Sequence, residues 1–164
     1  MKILVLSDSH ASLRQMRAWI ERIKPNAVIH LGDHYDDGQA LQEENPQLPF
    51  WLLPGNCDRW RSPVGAPEML CTDVCGVRLL MTHGHNHRVK QGIGALLADA
   101  RRFDAQAALY GHTHRPDCHQ EPDGLWVLNP GSCGNGGSAG LIETENAKIK
   151  ACRLLGQADL EDIV

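Results

Sequence analysis

The chain has 164 residues, a hydrophobic content of 42% and a formal net charge of −4, which favour one globular domain over residues 1–164. The acidic balance gives no electrostatic footprint for nucleic acid, and no apolar stretch approaches the length that crosses a membrane. Residues 2–7 form a short apolar run that ends at an acid, which indicates a strand rather than a signal peptide. Six cysteines with no C-x-x-C spacing favour free thiols in a reducing cytoplasm.

The first half of the chain alternates predicted strands with predicted helices. Apolar runs predict strands at residues 2–7, 27–31 and 50–53. Helical spacing predicts one helix from the N-cap Ser12 to Pro25 and a weaker one at 38–44. This β-α-β-α-β order predicts parallel strands whose carboxyl ends meet at one edge of a sheet.

The second half is dominated by hairpin signals. Its predicted strands pair around turns, as 69–75 with 77–82, 117–121 with 125–128, and 141–143 with 148–154. A helix at 93–102 and a strand at 107–110 lie between the first two hairpins. We therefore predict two sheets packed face to face with helices outside, followed by a mobile acidic tail over 156–164.

Five polar clusters follow these apolar runs, each at the predicted end of a strand. They are Asp8-Ser9-His10, Gly32-Asp33-His34, Gly55-Asn56-Cys57-Asp58, Thr82-His83-Gly84-His85 and Gly111-His112-Thr113-His114. Two Asp, one Asn and four His exceed what one tetrahedral zinc needs and suit two divalent ions that share a ligand. Asp33 can bridge two ions because a carboxylate has two oxygens. Oxygen and nitrogen ligands without a thiolate favour Mn, Fe, Co, Ni or Zn.

The order of these motifs, followed by Asn129-Pro130-Gly131-Ser132, resembles that of the calcineurin-like metallophosphoesterases. The resemblance is greatest to the small YfcE-type phosphodiesterases and spans about residues 2–149. It implies an α/β fold, a four-layer α/β/β/α sandwich of two mixed sheets. It also implies one metal held by Asp8, His10, Asp33 and His114, and a second held by Asp33, Asn56, His83 and His112.

The leading hypothesis is a hydrolase of phosphoric ester bonds, a phosphodiesterase in which a hydroxide bridging two divalent metals attacks phosphorus in line. Mn²⁺ is the favoured ion, with Ni²⁺, Zn²⁺, Fe²⁺ and Co²⁺ as alternatives. The expected substrate is a small phosphodiester, because the loop after Ser132 lacks the Arg that relatives often place there. We expect a cytoplasmic enzyme with no membrane partner. Both a monomer and a homo-oligomer are compatible with the sequence.

Three further residues are candidates for catalysis. Cys57 stands where many of the larger phosphatases carry His, and a protonated thiol can donate a proton to the leaving group; filling space in the turn is the alternative. Asp58 is expected to orient a neighbour or to cap the next turn. His85 is expected to contact metal or substrate, or else to pack beside the second metal.

Two other functions compete with this hypothesis. The phosphoesterase-fold subunit of the retromer coat shows that such a fold can serve as a binding scaffold once its metal ligands are damaged. All seven predicted ligands are present in this chain, which favours an enzyme. A nuclease acting on nucleic acid is the third reading, and the acidic balance and the lack of a basic, aromatic-rich stretch argue against it.

Overall fold

The computed structural model describes residues 1–161. In chain order its elements are β1 (Lys2–Leu6), α1 (Leu13–Ile23), β2 (Ala27–His30), α2 (Tyr35–Glu44), β3 (Phe50–Leu52), β4 (Met69–Val74), β5 (Val77–Thr82), α3 (Gly94–Arg102), β6 (Ala107–Leu109), β7 (Asp117–Gln120), β8 (Trp126–Asn129), β9 (Ala139–Glu145), β10 (Lys148–Leu155) and α4 (Gln157–Glu161). No helix among these is long and apolar enough to cross a membrane.

The strands form two mixed five-stranded sheets. The first has the order β10-β9-β1-β2-β3, with β1, β2 and β3 parallel and β9 antiparallel to β1. The second has the order β4-β5-β6-β8-β7, in which β5, β6 and β8 are parallel and both edge strands are antiparallel. The predicted fold class is confirmed, since both sheets are mixed and helices cover their outer faces.

Alternating side chains along β1 show how the four layers are held together. Ile3 and Val5 enter the core between the two sheets, where they join Leu79 and Met81 of β5. Leu4 and Leu6 point to the other face and pack under α1 and α2 with Trp19. A third core lies between α3 and the outer face of the second sheet. Period-two alternation with both faces apolar is the pattern of a strand that is covered on both sides.

Two segments differ from their predictions for reasons that lie elsewhere in the chain. The helix predicted at 38–44 begins earlier, at Tyr35, because the distant Asp58 carboxylate accepts the backbone N–H groups of His34 and Tyr35. The tail predicted to be mobile contains α4, and the Arg22 guanidinium donates to its Asp159 carbonyl at 2.9 Å. Residues 162–164 of that predicted tail lie outside the described part of the chain. Ser12 precedes α1 as predicted, but its side chain makes no capping hydrogen bond.

The carboxyl ends of β1, β2, β3, β5 and β6 meet at one edge of the sandwich. Backbone hydrogen bonds join the loops there, from Asp8 N to Gly32 O at 2.9 Å within one sheet and from Gly111 N to His83 O at 3.0 Å within the other. All five polar clusters therefore lie at the same edge.

Candidate metal centre

Five of the seven predicted ligand residues have a left-handed backbone. Their φ angles are 52° for Asp8, 46° for His10, 56° for Asp33, 67° for His112 and 57° for His114. A non-glycine residue in this region costs of order 1 kcal/mol or more and is concentrated at functional sites. These residues stand where the strands end, and their left-handed backbone directs the side chains toward the shared edge.

Asp8, His10, Asp33 and His114 come together as one group. A ligand atom from each lies within 4.8 Å of the others. Ser7 Oγ and the His112 N–H donate to Asp8 Oδ2 at 2.5 and 3.2 Å. Asp8 Oδ1 is buried and accepts no hydrogen bond, although His114 Nε2 lies only 3.0 Å from it. A carboxylate oxygen and an imidazole nitrogen that are close but not aligned with each other fit two ligands of one cation.

Asn56, His83 and His112 surround Asp33 on its other side. His83 Nδ1 lies 2.8 Å from the Leu31 carbonyl and donates to it, so in the neutral form of this imidazole Nε2 has a free lone pair. Nε2 faces Asn56 Oδ1 at 3.1 Å and Asp33 Oδ1 at 3.5 Å, and the His112 ring lies 5.0 Å from the His83 ring, centroid to centroid. With His83 neutral, three acceptor atoms face one another here, and such a set fits the ligands of one cation.

The ionisation states suit ligands. Burial, followed by the nearby His83 and Lys90, lowers the pKa of His112 to about 4, so this imidazole is neutral at neutral pH. Burial opposes ionisation of Asp33, but His83 and the Cys57 amide outweigh it and lower the pKa of this carboxyl. A neutral imidazole and an ionised carboxylate are the forms that coordinate divalent ions.

Two buried carboxylates, Asp58 and Asp37, hold these loops in place. Asp58 Oδ2 accepts the Gly55 N–H at 2.7 Å, while its Oδ1 accepts two N–H groups at the start of α2. Asp37 Oδ2 accepts the Ser9 hydroxyl at 2.6 Å and the Ala11 N–H at 2.9 Å. From the sequence, Asp37 could either support the ligands or stand at a solvated helix start, and its bonds to the β1 loop identify the first of these roles.

The three predicted catalytic residues have different positions. Cys57 is exposed beside the centre, its N–H donates to Asp33 Oδ1 at 2.9 Å, and burial and Asp33 raise the pKa of its thiol. The half-buried His85 ring lies 5.5 Å from the His83 ring, and burial lowers its pKa. Asp58 is fully buried with both oxygens engaged, so it contributes by positioning loops and does not contact substrate.

The Asn129 motif also serves the centre through the backbone. The Asn129 amide donates to the Gly111 carbonyl at 3.1 Å and to Thr113 Oγ1 at 3.0 Å. Ser132 Oγ donates to the Asp8 carbonyl at 2.8 Å. This motif fixes the loops that carry the ligands at both ends of the first group.

Cavities flank the centre on two sides. One of about 510 Å³ is lined by residues of the loop after β3 together with His85, and includes Asn56, Arg59 and Ser62. Another of about 390 Å³ adjoins the loop after β6 and is lined by Lys90 and Arg115. The chain is acidic overall, yet cations stand on both flanks of the predicted metal centre. The segment Arg59-Trp60-Arg61 places two guanidiniums around an aromatic ring just after a ligand cluster.

Known proteins are similar to this chain over most of its length. The sequence profile of the calcineurin-like phosphoesterase superfamily domain matches residues 1–147. A protein of Mycoplasma pneumoniae named "Probable metallophosphoesterase" is 31% identical over 134 residues, which cover 80% of this chain and 78% of the relative.

Solved structures with similar folds include proteins described as phosphoesterases and a vacuolar sorting protein. A predicted phosphoesterase from Streptococcus pneumoniae superimposes with a TM-score of 0.71 at 24% identity, covering 95% of this chain and 97% of that one. YfcE, a phosphoesterase from E. coli, gives 0.64 at 22% identity, with 93% and 98% covered. Vacuolar protein sorting 29 from Cryptosporidium parvum gives 0.70 at 17% identity, with 95% and 98% covered. Together with the match over residues 1–147, this similarity confirms the predicted family, and the chain belongs to the calcineurin-like phosphoesterase superfamily.

Proposed function

We propose that this protein is a phosphodiesterase that works with two divalent metal ions. The observation that carries the proposal is the set of acceptor atoms facing one another at the shared sheet edge, above all His83 Nε2 opposite Asn56 Oδ1 and Asp33 Oδ1. Mn²⁺ is the ion we favour for this mixture of carboxylate, amide and imidazole ligands.

The residues divide into two sets that share Asp33. Asp8, His10, Asp33 and His114 would hold one ion, and Asp33, Asn56, His83 and His112 the other. When bound, a pair of divalent ions supplies a nucleophilic hydroxide at neutral pH and neutralises charge on the phosphate oxygens.

The chain's own groups complete the reaction. Burial and the Asp33 carboxylate raise the pKa of the Cys57 thiol in the metal-free protein, which favours its protonated form. That proton is available to the leaving alkoxide. The neutral His85 ring borders the same cavity as Asn56 and is placed to hydrogen-bond a phosphate oxygen.

A phosphodiester suits this site better than a monoester. A monoester carries a second charge that needs further cations close to phosphorus. The segment 133–137 after Ser132 contains none, and the cations that border the centre stand on its flanks. The six free thiols also support our proposal that the enzyme works in the cytoplasm.

The decisive experiment restores metals to stripped protein. Bis-p-nitrophenyl phosphate and p-nitrophenyl phosphate are assayed after adding Mn²⁺, Ni²⁺, Co²⁺, Zn²⁺ or Mg²⁺ to separate samples. We expect the diester to have the higher kcat/KM and Asp33→Asn to lose nearly all activity and metal. Asp73→Asn, the same change at an exposed carboxyl near the turn between β4 and β5, is the matched control. Wild-type turnover by Asp33→Asn would refute the shared ligand, and no turnover with any metal would favour the scaffold hypothesis.

A further inference from the structure

A tryptophan stands almost fully exposed beside the metal centre. Trp60 has 88% of its surface exposed, whereas Trp19 is fully buried and the other two tryptophans are partly buried. Single exposed apolar residues are normal on protein surfaces, so exposure alone says nothing. Trp60 differs because it follows the Asn56 cluster, lies beside Arg59 and stands on a loop that is hydrogen-bonded to that cluster.

The loop that carries Trp60 is anchored to the centre by its backbone. The Asp58 carbonyl accepts the N–H groups of Arg61 and Ser62 at 2.9 and 3.0 Å, and the Ser62 hydroxyl at 3.1 Å. Arg61 Nη1 donates to the Cys57 carbonyl at 3.1 Å. The Asp58 side chain meanwhile ties the same residue to the loops of two metal ligands, so Trp60 is held on a turn fixed to the site.

The position of this turn places an aromatic face within reach of a bound substrate. Trp60 follows Asn56 by four positions in the chain, so their Cα atoms lie within about 14 Å of each other. Between them, Arg59 lines the cavity of about 510 Å³ that also contains Asn56 and His85. The Arg59 guanidinium lies 5.3 Å from the centre of the Trp60 ring, a distance at which a cation and an aromatic ring attract.

We propose that Arg59 and Trp60 bind a planar aromatic group on one arm of the phosphodiester, so that the natural substrate is a small nucleotide-type ester. This rests on the proposed function and names its substrate class. Trp60 offers its face for stacking, and Arg59 offers a charge for the anionic backbone of such a group. Bases stack on aromatic side chains with little dependence on which base is present, so the proposal concerns the class and not one base.

Matched substrates test the proposal by turnover. The p-nitrophenyl ester of thymidine 5′-monophosphate and methyl p-nitrophenyl phosphate share a leaving group and differ in the base-bearing arm. We expect the thymidine ester to have the higher kcat/KM, and Trp60→Ala to lower that value about 10-fold or more, the low end of what base stacking contributes. Trp60→Phe should keep most of it, and methyl p-nitrophenyl phosphate should be nearly unaffected by either change.

Leu154→Ala is the matched control, since it removes another exposed apolar side chain from the opposite edge strand of the first sheet. Equal values for the two esters, or an unchanged thymidine ester in Trp60→Ala, would overturn the proposal. Faster cleavage of a single-stranded oligonucleotide than of the thymidine ester would overturn the small substrate in favour of a nuclease.

A binding measurement separates this proposal from the proposed function. Adenosine 5′-monophosphate and ribose 5-phosphate are titrated into metal-loaded protein while tryptophan fluorescence is recorded. We expect the nucleotide to quench Trp60 and ribose 5-phosphate to have little effect, with the quenching lost in Trp60→Phe. Quenching without any hydrolysis would support the binding surface while the phosphodiesterase proposal fails. Hydrolysis of simple diesters without quenching by the nucleotide would support the phosphodiesterase proposal and overturn the binding surface.

Discussion

Replacing Asp58 with Asn tests whether the metal centre depends on a carboxylate that never touches a ligand. The side chain is fully buried, and its two oxygens accept the N–H groups of His34, Tyr35 and Gly55 at 2.8, 2.9 and 2.7 Å. Asn keeps the shape, but its NH₂ group must face one set of these donors. The geometry favours keeping the oxygen toward the two helix donors, which leaves the Gly55 N–H opposed by another donor.

The size of the effect follows from that opposition. A hydrogen bond to a charged group contributes about 1.5–3 kcal/mol, and a buried donor left without a partner costs about 1–3 kcal/mol. We therefore expect Asp58→Asn to lower the free energy of unfolding by about 3–5 kcal/mol, a large share of the roughly 5–15 kcal/mol that a domain has. Because Gly55 precedes Asn56, the second ion should also bind more weakly.

Urea unfolding of the metal-stripped protein measures the first effect and calorimetric metal titration the second. Asp73→Asn should change the free energy of unfolding by no more than about 0.5 kcal/mol, as expected for an exposed carboxylate. Unchanged stability and two full-strength metal sites in Asp58→Asn would refute the reasoning. Loss of one limb of the pH–rate profile without loss of metal would instead assign Asp58 an acid–base role.

Three further predictions concern titratable side chains. Cys57→Ala should lower kcat on alkyl phosphodiesters by about 10²-fold or more while sparing aryl ones, which need little protonation; equal small losses would mean that the thiol only fills space. Asp117, then Glu121, raise the pKa of His119, so its stabilising effect is complete below about pH 6.5 and is lost as pH rises through the raised value. His119→Gln should thus lower the free energy of unfolding by up to about 1 kcal/mol at pH 5.5 and by less at pH 9, and equal losses would contradict this. Cys118 Sγ and Cys152 Sγ lie 3.5 Å apart on strands of different sheets, so diamide should join them with loss of two hydrogens by mass spectrometry, and Cys152→Ser should prevent it.

The grouping of the proposed ligands at one sheet edge was predictable from sequence, because each stands in a polar cluster that follows an apolar run. Asp8, Asp33 and His83 interrupt strands whose alternating side chains are buried on both faces, and such strands identify themselves locally. The fold class followed from the order of those strands. What the sequence did not show depends on contacts between distant segments.

Asp37 and Asp58 illustrate that limit. Each lies near a predicted turn or helix start, where an exposed acid is ordinary, and each becomes a buried clamp only because another loop donates to it. The early start of α2 has the same cause. The sequence places Trp60 near Asn56, but only the fold shows that its ring is exposed and lies beside the Arg59 guanidinium.

Glycines at two ligand loops explain how the carboxylates are held before any ion binds. A Cβ on Gly55 would lie 2.2 Å from Asp33 Oδ1, and one on Gly111 would lie 2.0 Å from Ser7 Oγ and 2.9 Å from Asp8 Oδ2. Each carboxylate therefore packs directly against the backbone of a neighbouring loop, which no other residue type permits. Together with the left-handed ligands, this close packing fixes the acceptor atoms in place at a cost that the surrounding sandwich carries.

Such a site binds ions differently from a small zinc domain that folds only around its metal. Here the proposed ligands stand at the carboxyl ends of five strands, on loops joined by the buried Asp37 and Asp58, whose hydrogen bonds are all made to other protein groups. Metal should then stabilise the protein through preferential binding to the folded state, by RT ln(1 + [L]/Kd), and should not create the fold. Ligand atoms held in place by these loops need little rearrangement when a cation binds, and the same rigidity would hold a phosphorus atom in one position between the two flanking cavities.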